Sequence, residues 1–216
     1  MNIEVSIIIP VYNGQEFISR CLRSLLDQSY PKDKFEIIVI NDGSSDLTEY
    51  ALSQFGESIT VINNSKNKGL PQSLNTGIKI ANGEYLVRVD SDDYVNTNYI
   101  AFLLQYLNEN PHYDAIACDY YQVDENEVIV KRENCLENPI GCGIIFSCKH
   151  IKEINLYDEE MKFNEEKDLR IRFEKKYKVG RLELPLYRYR QHSANNTKNI
   201  ALMTKFNSLL KKKHEL

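Results

Sequence analysis

The 216-residue sequence lacks the features that mark several common protein classes. No apolar run approaches the ~20 residues of a membrane-spanning helix, and no charged segment followed by an apolar one opens the chain. Basic residues are not in excess, since the net charge is −4, so a broad nucleic-acid-binding face is not expected. These absences predict a soluble, cytoplasmic protein with no nucleic-acid partner.

Cysteine is present but forms no familiar motif. The five cysteines are Cys21, Cys118, Cys135, Cys142 and Cys148; they include no CxxC pair, and their number is odd. Reduced thiols in a cytosolic protein are the simplest interpretation. Metal chelation by Cys142 and Cys148 with a distant histidine is the alternative, which the usual spacings of zinc sites disfavour.

Glycine-rich phosphate loops are also missing. The sequence contains no GxGxxG, which a dinucleotide-binding oxidoreductase would need after its first strand. A sugar-nucleotide pyrophosphorylase would need a glycine-rich loop at the same place, where this chain has Pro10-Val-Tyr-Asn-Gly14. Both enzyme classes are therefore disfavoured.

The first half of the chain alternates strand and helix signals. Apolar runs predict buried strands at residues 5–10, 35–40 and 86–89 and a further strand at 59–62. Apolar residues at helical spacing predict helices over residues 17–26, 46–55 and 74–81, the last closed by Asn82-Gly83. This alternation predicts an α/β protein with a mostly parallel central sheet flanked by helices.

The second half is less regular. Its patterns predict a helix at 100–107, a strand at 115–119, a weak hairpin over 123–130 with its turn at Glu125-Asn126, a charged helix at 165–177 and a helical tail from residue 201. Residues 144–146 form a short apolar run. No internal repeat or linker interrupts the sequence, which favours a single domain.

Four polar loops follow the four predicted strands of the first half. In open parallel sheets ligands bind beyond the carboxyl ends of the strands, so residues 10–14, 41–46, 63–69 and 90–93 are expected at one edge. The last loop, Asp90-Ser91-Asp92-Asp93, carries three carboxylates that repel one another unless a cation or a basic group neutralises them. Such oxygen ligands suit a hard divalent ion. An acidic surface turn is the alternative.

The order and spacing of these loops resemble family 2 glycosyltransferases of the GT-A fold. The matching blocks are residues 5–14, 38–46, 67–70 and 90–93, and two later segments, 163–172 and 187–192, look like the acidic helix start and the closing arginine–histidine stretch of that family. The resemblance implies one GT-A domain over residues 1–216. Its nucleotide-sugar half would be 1–98, its acceptor half 99–200 and its helical tail 201–216.

The resemblance implies transfer of a sugar, with inversion, from a nucleoside diphosphate (UDP first of all) to an acceptor hydroxyl. A Mn²⁺ or Mg²⁺ ion would stabilise the departing diphosphate. Its implied ligand is Asp92, assisted by Asp90 or Asp93, with Asp90 as an alternative contact to the ribose. His192 would join the metal or be a solvated loop residue.

The implied general base lies at the start of the charged helix. The Glu-Asp pair of the family is replaced here by Glu165-Glu166, so Glu166 is the expected base and Glu165 the second candidate. The alternative interpretation is that both carboxylates only favour the helix dipole.

The predicted donor-binding residues are Pro10, Tyr12, Asp42, Lys68, Arg88, Asp90, Ser91 and Arg190. Tyr12 would stack on the base, a contact that contributes ~1–3 kcal/mol in nucleic-acid sites. Asp42 would accept a base N–H or close an Asx turn with Gly43. Arg88 shares a strand face with Asp90 and can neutralise the acidic residues or reach the nucleotide.

The acceptor is expected to be a glycan or a lipid-linked sugar in surface glycan, lipopolysaccharide or capsule assembly. Residues 120–158 would shape its pocket, and the sequence shows none of the added membrane helices of processive synthases. Lys211, Lys212 and Lys213 can touch the inner face of an anionic membrane or form an ordinary solvated helix end. A non-catalytic sugar-nucleotide-binding module is the second functional hypothesis.

Overall fold

The computed structural model describes residues 2–192 and 200–215, the side chains of residues 200–204 excepted. In the first half the strands and helices are β1 (Val5–Val11), α1 (Ile18–Leu26), β2 (Phe35–Asn41), α2 (Thr48–Ser53), β3 (Thr60–Asn63), α3 (Leu70–Ile80) and β4 (Tyr85–Arg88). Short 3-10 helices at Lys32–Lys34 and Gly56–Ser58 precede β2 and β3. Every strand and helix predicted in this half is confirmed, with ends that move by a few residues.

The second half contains β5 (Tyr94–Val95), α4 (Tyr99–Glu109), β6 (Ala115–Val123), β7 (Ile129–Glu133), β8 (Ile144–Ser147), α5 (Cys148–Glu153), α6 (Glu165–Glu174), β9 (Val179–Arg190) and α7 (Ile200–His214). The sequence patterns missed β5 and α5, whose two and six residues are too short to show a period. They also missed β9, in which buried and exposed residues do not alternate regularly, and the apolar run at 144–146 forms β8. The predicted hairpin exists as β6 and β7, but its strands extend further than expected on both sides.

One sheet runs through both halves, in the order β3-β2-β1-β4-β8-β6-β9-β5, with β7 paired to β6. Strands β1 to β4 pair in parallel, as predicted. Beyond β4 the sheet is mixed, because β8 runs antiparallel to both β4 and β6, whereas β9 runs parallel to β6. The α/β fold class is confirmed, and the antiparallel strands are confined to the half whose sequence is irregular.

The sheet is covered on both faces, which explains its continuous apolar strands. Ile7 and Ile9 of β1 pack in one core with α1 and α4, whereas Ile8 packs in a second core with α3, α5 and α6. Since successive side chains of a strand point to opposite faces, a strand buried on both sides is mostly apolar. The two polar residues inside β1 and β2, Ser6 and Glu36, hydrogen-bond each other, and most other polar residues follow the strand ends.

The C-terminal helix packs against the second half of the chain. Phe206 and Leu210 of α7 are buried with Met161, and Lys213 forms ion pairs with Asp158 and Asp168. Lys211 and Lys212 are exposed, and their contact with a membrane stays a prediction. Among the helices of the described residues, none combines the length and the apolar character needed to cross a bilayer.

All five cysteines are buried free thiols, as the sequence predicted. Cys142 lies near two aspartates, Asp90 and Asp93, so that one potential ligand atom of each residue is within 4.8 Å of the others. Within residues 2–192 and 200–215 this group contains neither Cys148 nor a histidine. The cysteine–histidine metal site considered above is therefore not formed there.

Candidate active site

Asp42 joins the loop after β2 to the loop after β3. One carboxylate oxygen, Oδ1, accepts hydrogen bonds from Asn64 Nδ2 at 2.7 Å and from the backbone N–H of Lys68 at 3.0 Å. The other, Oδ2, accepts from the N–H groups of Lys68 and Gly69, at 3.1 and 2.8 Å. The buried Asp42 side chain therefore fixes the entry to α3, and its contact with a nucleobase stays a prediction.

The loop after β2 is closed by Asn41 and not by Asp42. Asn41 Oδ1 accepts the N–H of Ser44 at 3.2 Å, and Gly43 adopts a φ of +73° between them. A side chain at Gly43 would be strained at this angle, and its Cβ would also lie only 2.5 Å from the backbone of Lys66. The predicted Asx turn at Asp42 is not among the described hydrogen bonds, because Ser44 bonds to Asn41, three residues before it, and Asp42 holds the loop after β3 instead.

The loop after β1 is tied to the same region. The N–H of Asn13 donates to Ser44 Oγ at 2.9 Å, and Asn13 Oδ1 accepts the N–H of Ser45 at 2.8 Å. Pro10 is buried within β1, whereas Tyr12, two residues on, is 51% exposed at the strand end. An exposed ring beside a rigid loop is free to stack on a planar ligand.

The fourth loop, residues 90–93, is called the acidic loop below. Ser91 Oγ lies 3.5 Å from the position of a Cβ at Gly14, so the acidic loop abuts the loop after β1. The four loops predicted at the carboxyl edge of the sheet are thus contiguous. Lys68 is exposed at this edge, where only its backbone N–H has a described bond, to Asp42.

Asp93 of the acidic loop is turned into the protein. Its Oδ2 accepts a hydrogen bond from Tyr187 Oη, and its Oδ1 accepts one from the backbone N–H of Arg190, both at 2.7 Å. Burial, together with the charges of Asp92 and Asp90, raises the pKa of the Asp93 carboxyl well above its usual range. Asp93 therefore anchors the loop to β9.

Asp92 is the most exposed carboxylate of the acidic loop, at 30% of its side chain. Its Oδ2 lies 2.8 Å from Nε2 of His192, whose ring packs against Phe17 with centroids 5.1 Å apart. The structure thus brings together two predicted metal ligands that are distant in sequence. Carboxylate oxygens suit Mn²⁺ or Mg²⁺, whereas the nearby thiol of Cys142 is a soft ligand that these ions do not favour.

Arg190 connects the acidic loop to the β6–β7 hairpin. The buried guanidinium donates from Nε to the carbonyl oxygen of Asp92 at 2.8 Å, from Nη1 to the carbonyl of Glu125 at 3.2 Å and from Nη2 to Glu127 at 3.1 Å. It therefore links the turn of the β6–β7 hairpin to the acidic loop. The predicted contact of Arg190 with a diphosphate stays a prediction.

The two glutamates at the start of α6 have different surroundings. Glu165 is 5% exposed and accepts a hydrogen bond from Arg88 Nη1 at 2.9 Å. Burial raises the pKa of Glu165 to about 7, although the Arg88 guanidinium opposes the shift. Glu166 is only partly buried, so it is the carboxylate of the pair that a substrate can reach.

Three residues of this region escaped the sequence analysis. Tyr187 holds Asp93, and Glu127 holds both Arg190 and Arg20 at the hairpin turn. Gly141 lies against Arg88 and Glu166. Tyr187 lay in a segment already singled out, but the other two lie where the motif resemblance is weakest, and only the fold reveals their neighbours.

Comparison with known proteins assigns the family. Residues 6–182 match the model of Glycosyl transferase family 2. The poly(ribitol-phosphate) beta-glucosyltransferase of Bacillus spizizenii is 41% identical over 111 residues, which cover 50% of this chain and 18% of that protein. This chain therefore spans only a small part of that relative.

Two solved structures share the fold. S. aureus TarS, residues 1–349 in complex with UDP-GlcNAc, has a TM-score of 0.79 at 21% identity, covering 96% of this chain and 65% of that one. The mannosyltransferase PcManGT from Pyrobaculum calidifontis, in complex with GDP-Man and Mn²⁺, has a TM-score of 0.73 at 18% identity, covering 99% and 63%. With the family match over most of its length, the chain belongs to glycosyl transferase family 2.

Proposed function

We propose that the protein is an inverting, metal-dependent glycosyltransferase that moves a sugar from a nucleoside-diphosphate donor to an acceptor hydroxyl. A UDP-sugar is the preferred donor in this proposal. The observation that carries the proposal is the pairing of Asp92 with His192 beside a loop that Arg88 connects to the Glu165-Glu166 helix start. The UDP-GlcNAc bound by TarS and the GDP-Man and Mn²⁺ bound by PcManGT support a nucleotide-sugar donor and a divalent ion.

Donor recognition falls to the loops after β1, β2 and β3 in this proposal. The exposed ring of Tyr12 stacks on the base, and Pro10 shapes the base pocket through its carbonyl. Asp42 keeps the β3–α3 loop in place, which brings the exposed Lys68 towards the phosphates, and it contacts the base through any remaining lone pair. Ser91 lies between this region and the metal ligands.

Asp92 and His192, with Asp90, hold the divalent ion. A bound Mn²⁺ or Mg²⁺ supplies Lewis-acid stabilisation of the charge that collects on the leaving diphosphate. Asp93 contributes by fixing the loop backbone, since both its oxygens already accept hydrogen bonds from β9. Arg88 reduces the repulsion between the carboxylates by pairing with Asp90.

Glu166 takes the proton of the acceptor hydroxyl as that oxygen attacks the sugar. A general base must be ionised and within hydrogen-bond reach of the proton it removes. The partly exposed position of Glu166 meets the requirement of access, whereas Glu165 is occupied by Arg88. The acceptor is a glycan or a lipid-linked sugar in surface glycan, lipopolysaccharide or capsule assembly, met in the cytoplasm or at the inner face of the membrane.

A two-step experiment tests the proposal. Thermal shift with UDP-, GDP- and other nucleotide sugars, each with and without Mn²⁺, identifies the donor and the ion dependence. Release of nucleoside diphosphate in the presence of glycan or lipid-linked acceptors then measures transfer. Glu166→Gln should lower turnover by about 10²–10⁴-fold while donor Kd stays near the wild-type value.

The matched control is Glu174→Gln, because Glu174 lies at the exposed far end of the same helix, paired with Arg170. It should leave both turnover and donor Kd unchanged. A non-catalytic sugar-nucleotide-binding module would bind the donor without turnover, and Glu166→Gln would then change nothing. Transfer that persists in Glu166→Gln would assign the base elsewhere.

A further inference from the structure

Arg88 is a buried cation between the acidic loop and α6. Its side chain is 7% exposed, and all three guanidinium nitrogens donate hydrogen bonds. Nε and Nη2 donate to the two oxygens of Asp90 at 2.7 and 3.0 Å, and Nη1 donates to Oε1 of Glu165 at 2.9 Å. One side chain therefore connects the end of β4, the acidic loop and the first turn of α6.

This arrangement depends on the shape of the guanidinium. The planar group matches the two oxygens of one carboxylate and still directs a third nitrogen at another acid. A lysine ammonium is a compact point charge and cannot reproduce both contacts at the same separation. The distance between Asp90 and Glu165 is thus set by a rigid group.

Gly141 shows how closely the neighbouring segment packs on this group. A Cβ at Gly141 would lie 2.6 Å from Arg88 Nη1 and 3.0 Å from Cβ of Glu166. Both contacts are too close for a side chain without a shift of Arg88 or of α6. The segment before β8 therefore covers the guanidinium and touches the residue next to Glu165.

We propose that Arg88 and Glu165 are positioning residues, whose bridge holds Asp90 and the first turn of α6 at a fixed separation. The bridge fixes the position of Glu166 relative to the acidic loop. The sugar donor held by the loop and the acceptor hydroxyl held near Glu166 are then kept at one distance and orientation. The inference rests on the proposed function of Glu166 and the acidic loop. It gives Arg88 and Glu165 a role exerted through their neighbours.

The competing explanation is that the ion pair only stabilises the fold. Breaking a buried pair by removing one partner destabilises a protein wherever the pair lies. Arg181 offers the comparison, because its Nε and Nη2 donate to the two oxygens of the buried Asp119 at 2.9 and 2.8 Å. This second bidentate pair joins β9 to β6 and has no described contact with the acidic loop.

The experiment measures Mn²⁺ affinity in the presence of UDP by titration calorimetry, and kcat and donor KM for transfer. Glu165→Met removes the acceptor of the Arg88 hydrogen bond and adds no charge. Although Glu165 is outside the acidic loop, we expect Mn²⁺ affinity to fall about 10–100-fold, as for other residues that orient metal ligands. The value of kcat should fall more than donor KM rises, because Glu166 is displaced too.

Conservative variants distinguish the effect of the Arg88–Glu165 hydrogen bond from the effect of the Glu165 charge. Glu165→Gln keeps an oxygen that accepts from Arg88 and should restore Mn²⁺ affinity and kcat towards the wild-type values. Gly141→Ala changes no charge but should act in the same direction as Glu165→Met, because its Cβ displaces Arg88 or α6. Arg181→Lys, the control, should lower the melting temperature and leave Mn²⁺ affinity and kcat unchanged.

Wild-type Mn²⁺ affinity and kcat in Glu165→Met would overturn the proposal, and so would equal losses in Arg181→Lys. A wild-type protein that binds no Mn²⁺ would overturn it as well. Failure of the proposed function has a different signature: UDP and Mn²⁺ bind, no donor is transferred, and Glu165→Met still weakens Mn²⁺ binding. Should one variant fail to fold, the pair Glu165→Gln and Gly141→Ala still carries the test.

Discussion

Replacing Asp42 with asparagine should destabilise the protein by weakening the contacts that hold the loop after β3. The carboxylate accepts hydrogen bonds from Asn64, Lys68 and Gly69, and two of these donors are backbone N–H groups at the start of α3. Asparagine has nearly the same shape, so no cavity forms. Its amide nitrogen must, however, replace one of the two carboxylate oxygens, and there an N–H donor faces another N–H donor.

The magnitude follows from the contacts. If the new amide nitrogen faces Asn64, that side chain can turn to offer its oxygen, and the N–H groups of Lys68 and Gly69 keep a neutral acceptor. Hydrogen bonds to charged groups contribute about 1.5–3 kcal/mol and neutral ones about 0.5–1.5 kcal/mol. Two weakened bonds therefore cost about 2 kcal/mol, which corresponds to about 4–8 °C in melting temperature for a chain of this length.

Thermal unfolding followed by circular dichroism measures this loss, with the exposed Asp33→Asn as the control for removing one negative charge. Titration with UDP, performed well below the melting temperature, shows whether affinity falls with stability. A melting temperature of Asp42→Asn equal to that of Asp33→Asn would refute the claim that the carboxylate fixes the β3–α3 loop. A loss of UDP affinity without a loss of stability would assign Asp42 to the base alone.

Three further perturbations test other parts of the structure. Burial raises the pKa of Glu165 to about 7, so the folded state binds its proton more tightly than the unfolded state does. The free energy of unfolding of the wild-type protein should therefore fall as pH rises from about 4.5 to 7. In Glu165→Gln, urea denaturation should show no such fall. Asp92→Asn should abolish the thermal shift caused by Mn²⁺ while keeping the one caused by UDP alone, and an unchanged Mn²⁺ effect would remove Asp92 from the metal site. Phe206→Ala should lower the free energy of unfolding by about 3 kcal/mol, because it leaves a cavity beside Met161. Urea denaturation measures this loss, and a negligible loss would mean that α7 adds no stability.

The first half of the fold could be predicted because its signals are local. Runs such as residues 37–40 are apolar throughout, since β2 is buried on both faces, and the helices between the strands show one apolar side. The parallel order of β1 to β4 then places the polar loops at one edge. The sequence was informative here because strand, helix and loop each follow from neighbouring residues.

The second half could not be predicted in the same way because its contacts join distant residues. Strand β9 pairs with β6 and β5, and its Tyr187 reaches Asp93 across 94 positions of the sequence. Glu127 adopts a φ of +64° at a hairpin turn and binds Arg190, and no periodicity announces such a contact. The partners of the acidic loop therefore became apparent only from the fold.

The contacts of the acidic loop explain how three adjacent carboxylates coexist. Asp90 is neutralised by Arg88, and Asp93 is buried against Tyr187, where its raised pKa favours the protonated form. Asp92 remains as the exposed carboxylate, next to His192. Because each acid has a different partner, the repulsion expected from the sequence is relieved before any cation arrives. In the proposed site, a divalent ion would then meet the exposed Asp92 with Asp90 already held beside it, and this preorganisation is what the positions of Arg88 and Tyr187 contribute.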